Sequence, residues 1–238
     1  MALEAPLRLA LLGRFALMRG DLEIEIAAGG QRLVALLALR DRHVTRQYVA
    51  GNLWPEYSTE RALADLRTTL WRVNQSHERI VTATTARLGL CADIDVDVRR
   101  LITFARRLGE AADEPTPIEL ESIELSELSR DLLPDWYDTW LQDEREELRQ
   151  TRLHALETLA RALSAAGRHA MAIQAALAAI RLEPLRETAH RTLIETHLAE
   201  GNWSEALRQF RRCQRLLREE LGVEPSESMC RLLHLDLS

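Results

Sequence analysis

The stretch from Arg61 to Cys91 constrains the fold most, because a long amphipathic helix is followed at once by a hairpin. In TERALADLRTTLWRVNQS, apolar residues recur at helical spacing and predict one narrow buried stripe. That stripe consists of Leu63, Leu66, Leu70 and Val73. At about 100° per residue the opposite face is polar, and it carries Arg61, Asp65, Thr68, Arg72 and Gln75. The next segment, IVTATTARLGLC, is typical of a short β-hairpin.

A helix that presents Arg and Thr on its exposed face suits the DNA major groove, where Arg can bridge guanine acceptors. The hairpin would then be a wing whose Arg87 reaches a phosphate or the minor groove. Arg72 and Thr68 are the predicted base readers, and Arg67 is a predicted phosphate contact. The full set of predicted DNA contacts is Arg61, Arg67, Thr68, Trp71, Arg72 and Arg87. Trp71 could instead pack partly on the core, and the pattern alone also fits a plain surface helix.

The residues before this helix predict strands first and helices afterwards. The stretches LRLALLG, FALMR and LEIEI read as strands, and the alternation of Leu22, Ile24 and Ile26 with glutamates predicts a half-buried third strand. Gly29 and Gly30 are then expected to break the sheet.

Two shorter helices are predicted before the long one. The first covers 31–40, and the second covers about 46–54 with Thr45 as its N-cap. Thr59 is the expected cap of the long helix. Two helices joined by a tight turn, the second of which presents polar residues, form a helix-turn-helix arrangement.

The second half of the chain reads as helical throughout. A helix begins at Asp97, a loop is predicted at 113–117, and a long charged helix begins at about Asp135. A weak repeat with a period of 34 residues follows, as in tetratricopeptide helix pairs. Its matched positions are Leu159 with Leu193, Gly167 with Gly201, Ala172 with Ala206, and Ile173 with Leu207.

Three aromatic residues, Trp136, Tyr137 and Trp140, lie within five positions. They can pin the charged helix onto the rest of the protein. Alternatively they form a binding patch for a protein partner, for which Trp136 and Trp140 are the candidates.

The composition narrows the function further. No apolar run approaches the ~20 residues of a membrane span, and Cys91, Cys213 and Cys230 lack the spacing of a disulfide framework or zinc site. No metal, cofactor or catalytic motif such as HExxH, a P-loop or GxGxxG is found, so we expect neither an enzyme nor a metal site.

Charge is distributed unevenly along the chain. Residues 1–100 carry 14 Arg against 12 acidic residues, whereas residues 101–238 carry 17 Arg against 25 acidic residues. This distribution suits a DNA reader joined to a protein-contacting module.

The ordered motifs carry a family resemblance. The first half resembles an OmpR-type winged helix in the motifs LLGRF, QRLVALLAL, YVAGNLWPE and ALADLRTTLWRV. The second half resembles a bacterial transcriptional activator domain in the motifs LLPDWYDTWLQDEREELRQ, HRTLIETHLAEGNWSEALRQF and ELGVEPS. This combination resembles the Streptomyces antibiotic regulatory proteins. Trp71 and Asn74 depart from the family, which more often has a small polar residue and an Arg at these two positions.

The resemblance implies a mainly α fold with a small β component. A winged helix-turn-helix would occupy 1–92, and an all-α, tetratricopeptide-like activator domain would occupy 93–238. It implies a cytoplasmic, sequence-specific transcriptional activator that binds double-stranded DNA at promoter direct repeats as a dimer, contacts RNA polymerase or a second protomer, and has no membrane partner. The alternative is a helical-repeat adaptor whose winged helix no longer binds DNA usefully.

Overall fold

The computed structural model describes residues 5–75, 79–110 and 125–233. By packing, the chain divides into an N-terminal unit, Met1–Ile102 with Arg130–Glu147, and a helical unit, Thr103–Ser129 with Leu148–Ser238. Within the described ranges, no helix combines the length and apolar character needed to cross a membrane. The loop predicted at 113–117 lies outside the described residues.

The predicted fold class, mainly α with a small β component, is confirmed. In chain order the strands are β1 (Leu7–Ala10), β2 (Ala16–Arg19), β3 (Leu22–Glu23), β4 (Val44–Thr45), β5 (Val81–Ala83), β6 (Arg87–Leu90) and β7 (Asp95–Val96). The helices are α1 (Ala28–Arg40), α2 (Arg46–Leu53), α3 (Thr59–Asn74), α4 (Asp97–Glu110), α5 (Leu125–Ser129), α6 (Leu141–Ala165), α7 (His169–Leu182), α8 (Glu187–Ala199), α9 (Trp203–Leu221) and α10 (Glu227–Arg231).

The first sheet has the strand order β3-β2-β1-β7. The prediction of a long third strand was wrong, since β3 ends at Glu23 and Leu22 is 75% exposed. Ile24 and Ile26 lie beyond the strand and are half-buried. Their alternation with glutamates belongs to the irregular segment between β3 and α1. A period of two residues cannot distinguish such a segment from a paired strand.

Gly30 also departs from the prediction, because it lies inside α1 and does not break the sheet. A Cβ atom at this position would lie 2.6 Å from Cγ2 of Ile26 and 2.8 Å from Cγ2 of Val73. The glycine therefore permits the close approach of α1 to α3, which is a packing requirement that a sequence signal for loops cannot reveal.

The helix caps were partly predicted. Thr45 caps α2 as expected, with its hydroxyl accepting a hydrogen bond from the Tyr48 amide at 3.2 Å. The cap of α3 is Ser58 and not Thr59, because the Ser58 hydroxyl accepts from the Arg61 amide at 3.4 Å. Either residue type can serve as an N-cap, so only the turn geometry selects between adjacent Ser and Thr.

Asp97 joins the start of α4 to the first sheet. Its carboxylate accepts hydrogen bonds from the amides of Leu11 and Leu12 at 2.9 Å and from Val98 at 2.7 Å. Burial raises the pKa of Asp97, whereas these three backbone donors act in the opposite direction. Residues 93–97 are thus part of the packed N-terminal unit, with β7 parallel to β1.

Residues 130–147 pack in the N-terminal unit. Leu132 forms a bridge with Leu12, the Leu133 amide donates to the Leu11 carbonyl at 2.9 Å, and Trp136 stacks on Phe15 at 6.1 Å between ring centroids. The predicted start of the charged helix at about Asp135 was wrong, because residues 134–140 form turns and α6 begins at Leu141. The domain boundary between residues 92 and 93, drawn from the family resemblance, stays a prediction.

In the helical unit, the predicted repeat corresponds to two equivalent helix corners. Gly167 and Gly201 have φ angles of +73° and +83°, a left-handed conformation that glycine adopts without strain. At the first corner the Arg168 amide donates to the Leu163 carbonyl at 2.8 Å, and at the second the Asn202 amide donates to His197 at 2.8 Å. The same hydrogen bond thus recurs with the predicted period, as expected for antiparallel helix pairs.

The ELGVEPS motif connects α9 to α10. Gly222 ends α9 with a φ of +66°, and Ser226 caps α10. The Ser226 amide also donates to the carboxylate of Glu187 in the first turn of α8, at 2.8 Å. The motif therefore ties the end of the helical unit to the beginning of α8.

Candidate nucleic-acid interface

Helix α3 presents one buried and one exposed face. Ala62, Leu66, Leu70 and Val73 are buried. Leu63, which was predicted in the buried stripe, is only half-buried because Ala62 takes the corresponding place in the core. The helix is therefore rotated slightly from the predicted orientation, by less than one residue step.

The polar face of α3 is open to solvent. The predicted contacts on this helix are all exposed, and they are Arg61, Arg67, Thr68, Trp71 and Arg72. Trp71 is 61% exposed, so most of its indole is accessible, in contrast to the expected partial packing. The Thr68 hydroxyl donates to the Ala64 carbonyl at 3.2 Å, which leaves its lone pairs available to accept a hydrogen bond.

The arginines of α3 and of the wing carry charge that no acid among the described residues pairs with. Among the described residues, Arg67, Arg72 and Arg87 have no hydrogen-bonded or ion-paired acid on their side chains. Arg61 lies over the ring of Tyr57 at 4.1 Å, a cation–π contact that keeps its charge. Two acids lie on α3: Asp65 is half-buried, and Glu60 is exposed in the first turn of the helix. The described surface of α3 thus offers positive charge to an anionic ligand.

Arg72 borders a small cleft between α1 and α3. The cleft has a volume of about 110 Å³, and Glu25, Thr69 and Val73 also line it. This volume holds a few water molecules at most, so the cleft does not suggest a separate ligand site.

The predicted hairpin is present as β5 and β6, which form the second sheet together with β4 in the order β4-β6-β5. Thr82 pairs with Gly89, and the Thr84 hydroxyl accepts from the Arg87 amide at 3.0 Å to close the turn. Arg87 is exposed at the first position of β6, where it pairs with Thr45 of β4. The arginine at the wing and the capped start of α2 are therefore neighbours.

No sequence pattern indicated the role of Arg46. Its guanidinium donates to the Thr84 carbonyl at 3.1 Å through Nη2, and its amide donates to the Ala86 carbonyl at 3.1 Å. Arg46 thus holds the hairpin turn at the N-terminus of α2. The two partners are 38 residues apart, and no local pattern encodes their contact.

Trp136 and Trp140, the predicted partner contacts, lie in the N-terminal unit and serve its packing. Trp140 is 7% exposed and its indole Nε1 donates to Asp138 at 3.2 Å, while Trp136 stacks on Phe15. For Trp140 the packing alternative is therefore correct. The accessible aromatic ring of this segment is Tyr137, which is 90% exposed.

Comparisons with known proteins agree with this architecture. The model of the family described as bacterial transcriptional activator domain matches residues 123–235. Regulatory protein AfsR of Streptomyces griseus is 27% identical over 236 residues, which cover 95% of this chain. Regulatory protein AfsR of Streptomyces coelicolor is 29% identical over 238 residues and covers 93%. The chain spans only 24% and 23% of the lengths of these two relatives.

The fold is also that of a solved structure, Mycobacterium tuberculosis EmbR in complex with a low-affinity phosphopeptide. The match has a TM-score of 0.80 at 21% identity and covers 99% of this chain and 67% of that one. The likeness to EmbR shows the fold, and the activator-domain match and the similarity to the AfsR proteins agree with each other. Residues 123–235 therefore match the bacterial transcriptional activator domain, and nearly the whole chain is similar to two regulatory proteins.

Proposed function

We propose that this chain is a sequence-specific DNA-binding regulator that inserts α3 into the major groove of promoter DNA. The observation that carries the proposal is the exposed face of α3, on which Arg67 and Arg72 lack an acidic partner among the described residues. The related AfsR proteins are regulatory proteins by name, which supports the same function.

Each exposed side chain has a chemical role in this proposal. Arg72 would bridge the O6 and N7 acceptors of a guanine, and Thr68 would accept from or donate to a neighbouring base edge. Arg61, Arg67 and Arg87 would contact phosphates, which position the helix without reading sequence. The exposed indole of Trp71 would pack on a thymine methyl group or a deoxyribose.

Two copies of the chain are needed for tight binding. The recognition helix is modestly charged, because Asn74 stands where an additional arginine is common in the family and Asp65 lies on the same helix. We infer binding to direct repeats spaced by about one helical turn, roughly 34–36 Å. We further propose that the protein acts in the cytoplasm as an activator, with its helical unit contacting RNA polymerase or the second protomer.

Selection from a random-duplex library at about 150 mM salt, followed by fluorescence anisotropy on the enriched sequence, tests the function. The expected result is a direct repeat whose affinity falls steeply when either half-site is mutated. Weak binding that disappears as salt rises, with no enriched sequence, would contradict the proposal. Electrostatic attraction to the phosphates alone does not distinguish one DNA sequence from another.

A second candidate function is that of a protein–protein adaptor. It is favoured by the net charge of −6 and by the acidic second half of the chain. In that case the chain would form stable complexes with a protein partner and would show only sequence-blind contact with DNA. A sharp preference for one promoter sequence at physiological salt would exclude the adaptor.

A further inference from the structure

The helical unit contains a groove of about 980 Å³ between α7, α8 and α9. Apolar side chains form part of its wall, including Ile173 and Leu177 of α7 and Leu193 of α8. The volume is at the upper end of the range of small-molecule sites. Its dimensions therefore suit a peptide segment better than a single small ion.

One wall of the groove is lined by four arginines of α9: Arg208, Arg211, Arg212 and Arg215. Their spacing of three, four and seven residues places them on one face of the helix. Arg208 is paired with Glu205 at 2.5 Å. Arg211, Arg212 and Arg215 are exposed and have no acidic partner in the part of the chain that the structure describes.

This positive wall contrasts with the charge of the surrounding sequence. Residues 101–238 contain 25 acidic residues and 17 arginines, yet the acid that lines the groove, Glu205, is already neutralised by Arg208. Three like charges on one face of a helix repel one another. An anionic ligand would relieve that repulsion. Arginine also binds carboxylates through paired hydrogen bonds, which favours a ligand with several acidic groups.

A buried hydrogen-bond chain joins α8 to α9 next to the groove. His190 of α8 is fully buried, with its Nε2 at 2.8 Å from the Pro184 carbonyl and its Nδ1 at 2.6 Å from Nε2 of Gln209. Gln209 lies on α9 between Arg208 and Arg211, and it also lines the groove. This chain fixes α9 on α8, so the positions of the arginines are set before a ligand binds.

We propose that this groove binds an acidic peptide segment of another protein, with apolar side chains against the apolar wall and carboxylates against Arg211, Arg212 and Arg215. The apolar wall and the concave shape favour a peptide over DNA, since a duplex presents its phosphates on a convex surface. The proposal deepens the protein contact that was proposed above for the helical unit. It does not depend on α3, so failure of DNA binding and failure of peptide binding are distinguishable.

The test is selection of short random peptides displayed on phage against the full chain, followed by fluorescence anisotropy on the enriched peptides. We expect the enriched sequences to combine several Asp or Glu residues with Leu, Ile or Phe. The double variant Arg212→Gln/Arg215→Gln should bind them at least about tenfold more weakly, because two charge-assisted contacts are lost.

The matched control is Arg42→Gln/Arg181→Gln, which removes the same number of charges from exposed positions that do not line the groove and have no acidic partner among the described residues. Its affinity for the peptides should stay within about twofold of the unmodified chain. Circular dichroism and thermal melting of both variants verify that the fold is intact.

Three results would overturn the proposal: selection without an acidic and apolar bias, equal peptide affinity of the groove variant and the unmodified chain, or equal loss in the groove and control variants. Loss of duplex DNA binding by the groove variant, with peptide binding unchanged, would likewise overturn it and would assign the arginines to phosphate contact.

Discussion

Arg32 of α1 donates a hydrogen bond through Nε to Oδ1 of Asp138 at 2.7 Å, which links residues 106 positions apart within the N-terminal unit. The same oxygen accepts from the Trp140 indole at 3.2 Å, and the Arg32 guanidinium also donates to the Leu53 carbonyl at 3.0 Å. One carboxylate therefore orients an arginine between α1 and the end of α2, on which the helix-turn-helix depends.

Replacing Asp138 by alanine should lower the free energy of unfolding by about 1–3 kcal/mol, because two partly buried donors would lose their acceptor. Urea unfolding followed by circular dichroism measures this change. Asp135→Ala is the matched control, since Asp135 is exposed in the same segment and has no partner among the described residues. Equal stability of the two variants would contradict a structural role for the Arg32–Asp138 pair.

Two glycines inside helices should respond in opposite directions to alanine. Gly30→Ala should destabilise the protein by about 1–3 kcal/mol, because the new methyl group would overlap Ile26 and Val73 at 2.6 Å and 2.8 Å. Gly51→Ala in α2 should stabilise it by about 0.5–1 kcal/mol, since a Cβ there meets no atom within 4 Å. Thermal melting of both variants tests the pair, and stabilisation by Gly30→Ala would refute the close approach of α1 and α3.

Arg72→Ala should reduce discrimination between the selected DNA sequence and a sequence with one substituted guanine by about 1–3 kcal/mol. Arg67→Ala, on the same exposed surface, should instead weaken binding to both sequences about equally, as expected of a phosphate contact. Anisotropy titrations on the two duplexes separate these outcomes. Unchanged binding by Arg72→Ala would remove this residue from the reading surface.

Arg87→Ala should weaken DNA binding and reduce the slope of log affinity against log salt by about 1, because the wing would lose one phosphate contact. The measurement is a series of anisotropy titrations over increasing salt concentration. Arg181→Ala, a change of an exposed arginine in the helical unit, should leave the slope unaltered. An unchanged slope in Arg87→Ala would place the wing away from the phosphates.

Burial lowers the pKa of His190 from its ordinary value of 6.5, and the nearby Arg212 charge acts in the same direction. The hydrogen bond to Pro184 and the charge of Glu187 oppose this shift without cancelling it. Since the unfolded chain then binds the proton more readily, this contribution to stability is complete above pH 6.5 and is lost as the pH falls towards the lower folded pKa.

Urea unfolding between about pH 7.5 and pH 5.5 should therefore show a loss of stability that is smaller in His190→Gln, which cannot titrate. The difference between the two curves isolates this residue from the carboxylates that also titrate in the chain. Parallel curves would show that His190 does not contribute to the pH dependence.

Most elements, and the residues exposed on α3, were predictable from the order of the amino acids alone. Helical periodicity identified Leu66, Leu70 and Val73 as core positions, and it placed the arginines and Thr68 on the opposite face. The 34-residue repeat predicted the two corners at Gly167 and Gly201, because each corner requires a left-handed residue at the same point of a helix pair. These features are local, so spacing along the chain is sufficient to reveal them.

Other features became visible only from the packing of the folded chain. Four features depend on residues far apart in sequence. They are the packing of Trp136 and Trp140 in the N-terminal unit, the need for Gly30 inside α1, the contact of Arg46 with the wing, and the arginine-lined groove. Such contacts have no period, because they are selected by the shape and polarity of neighbouring elements and not by the conformation of a single segment. A half-buried carboxylate such as that of Asp138 acquires its role only when the donors of other elements reach it.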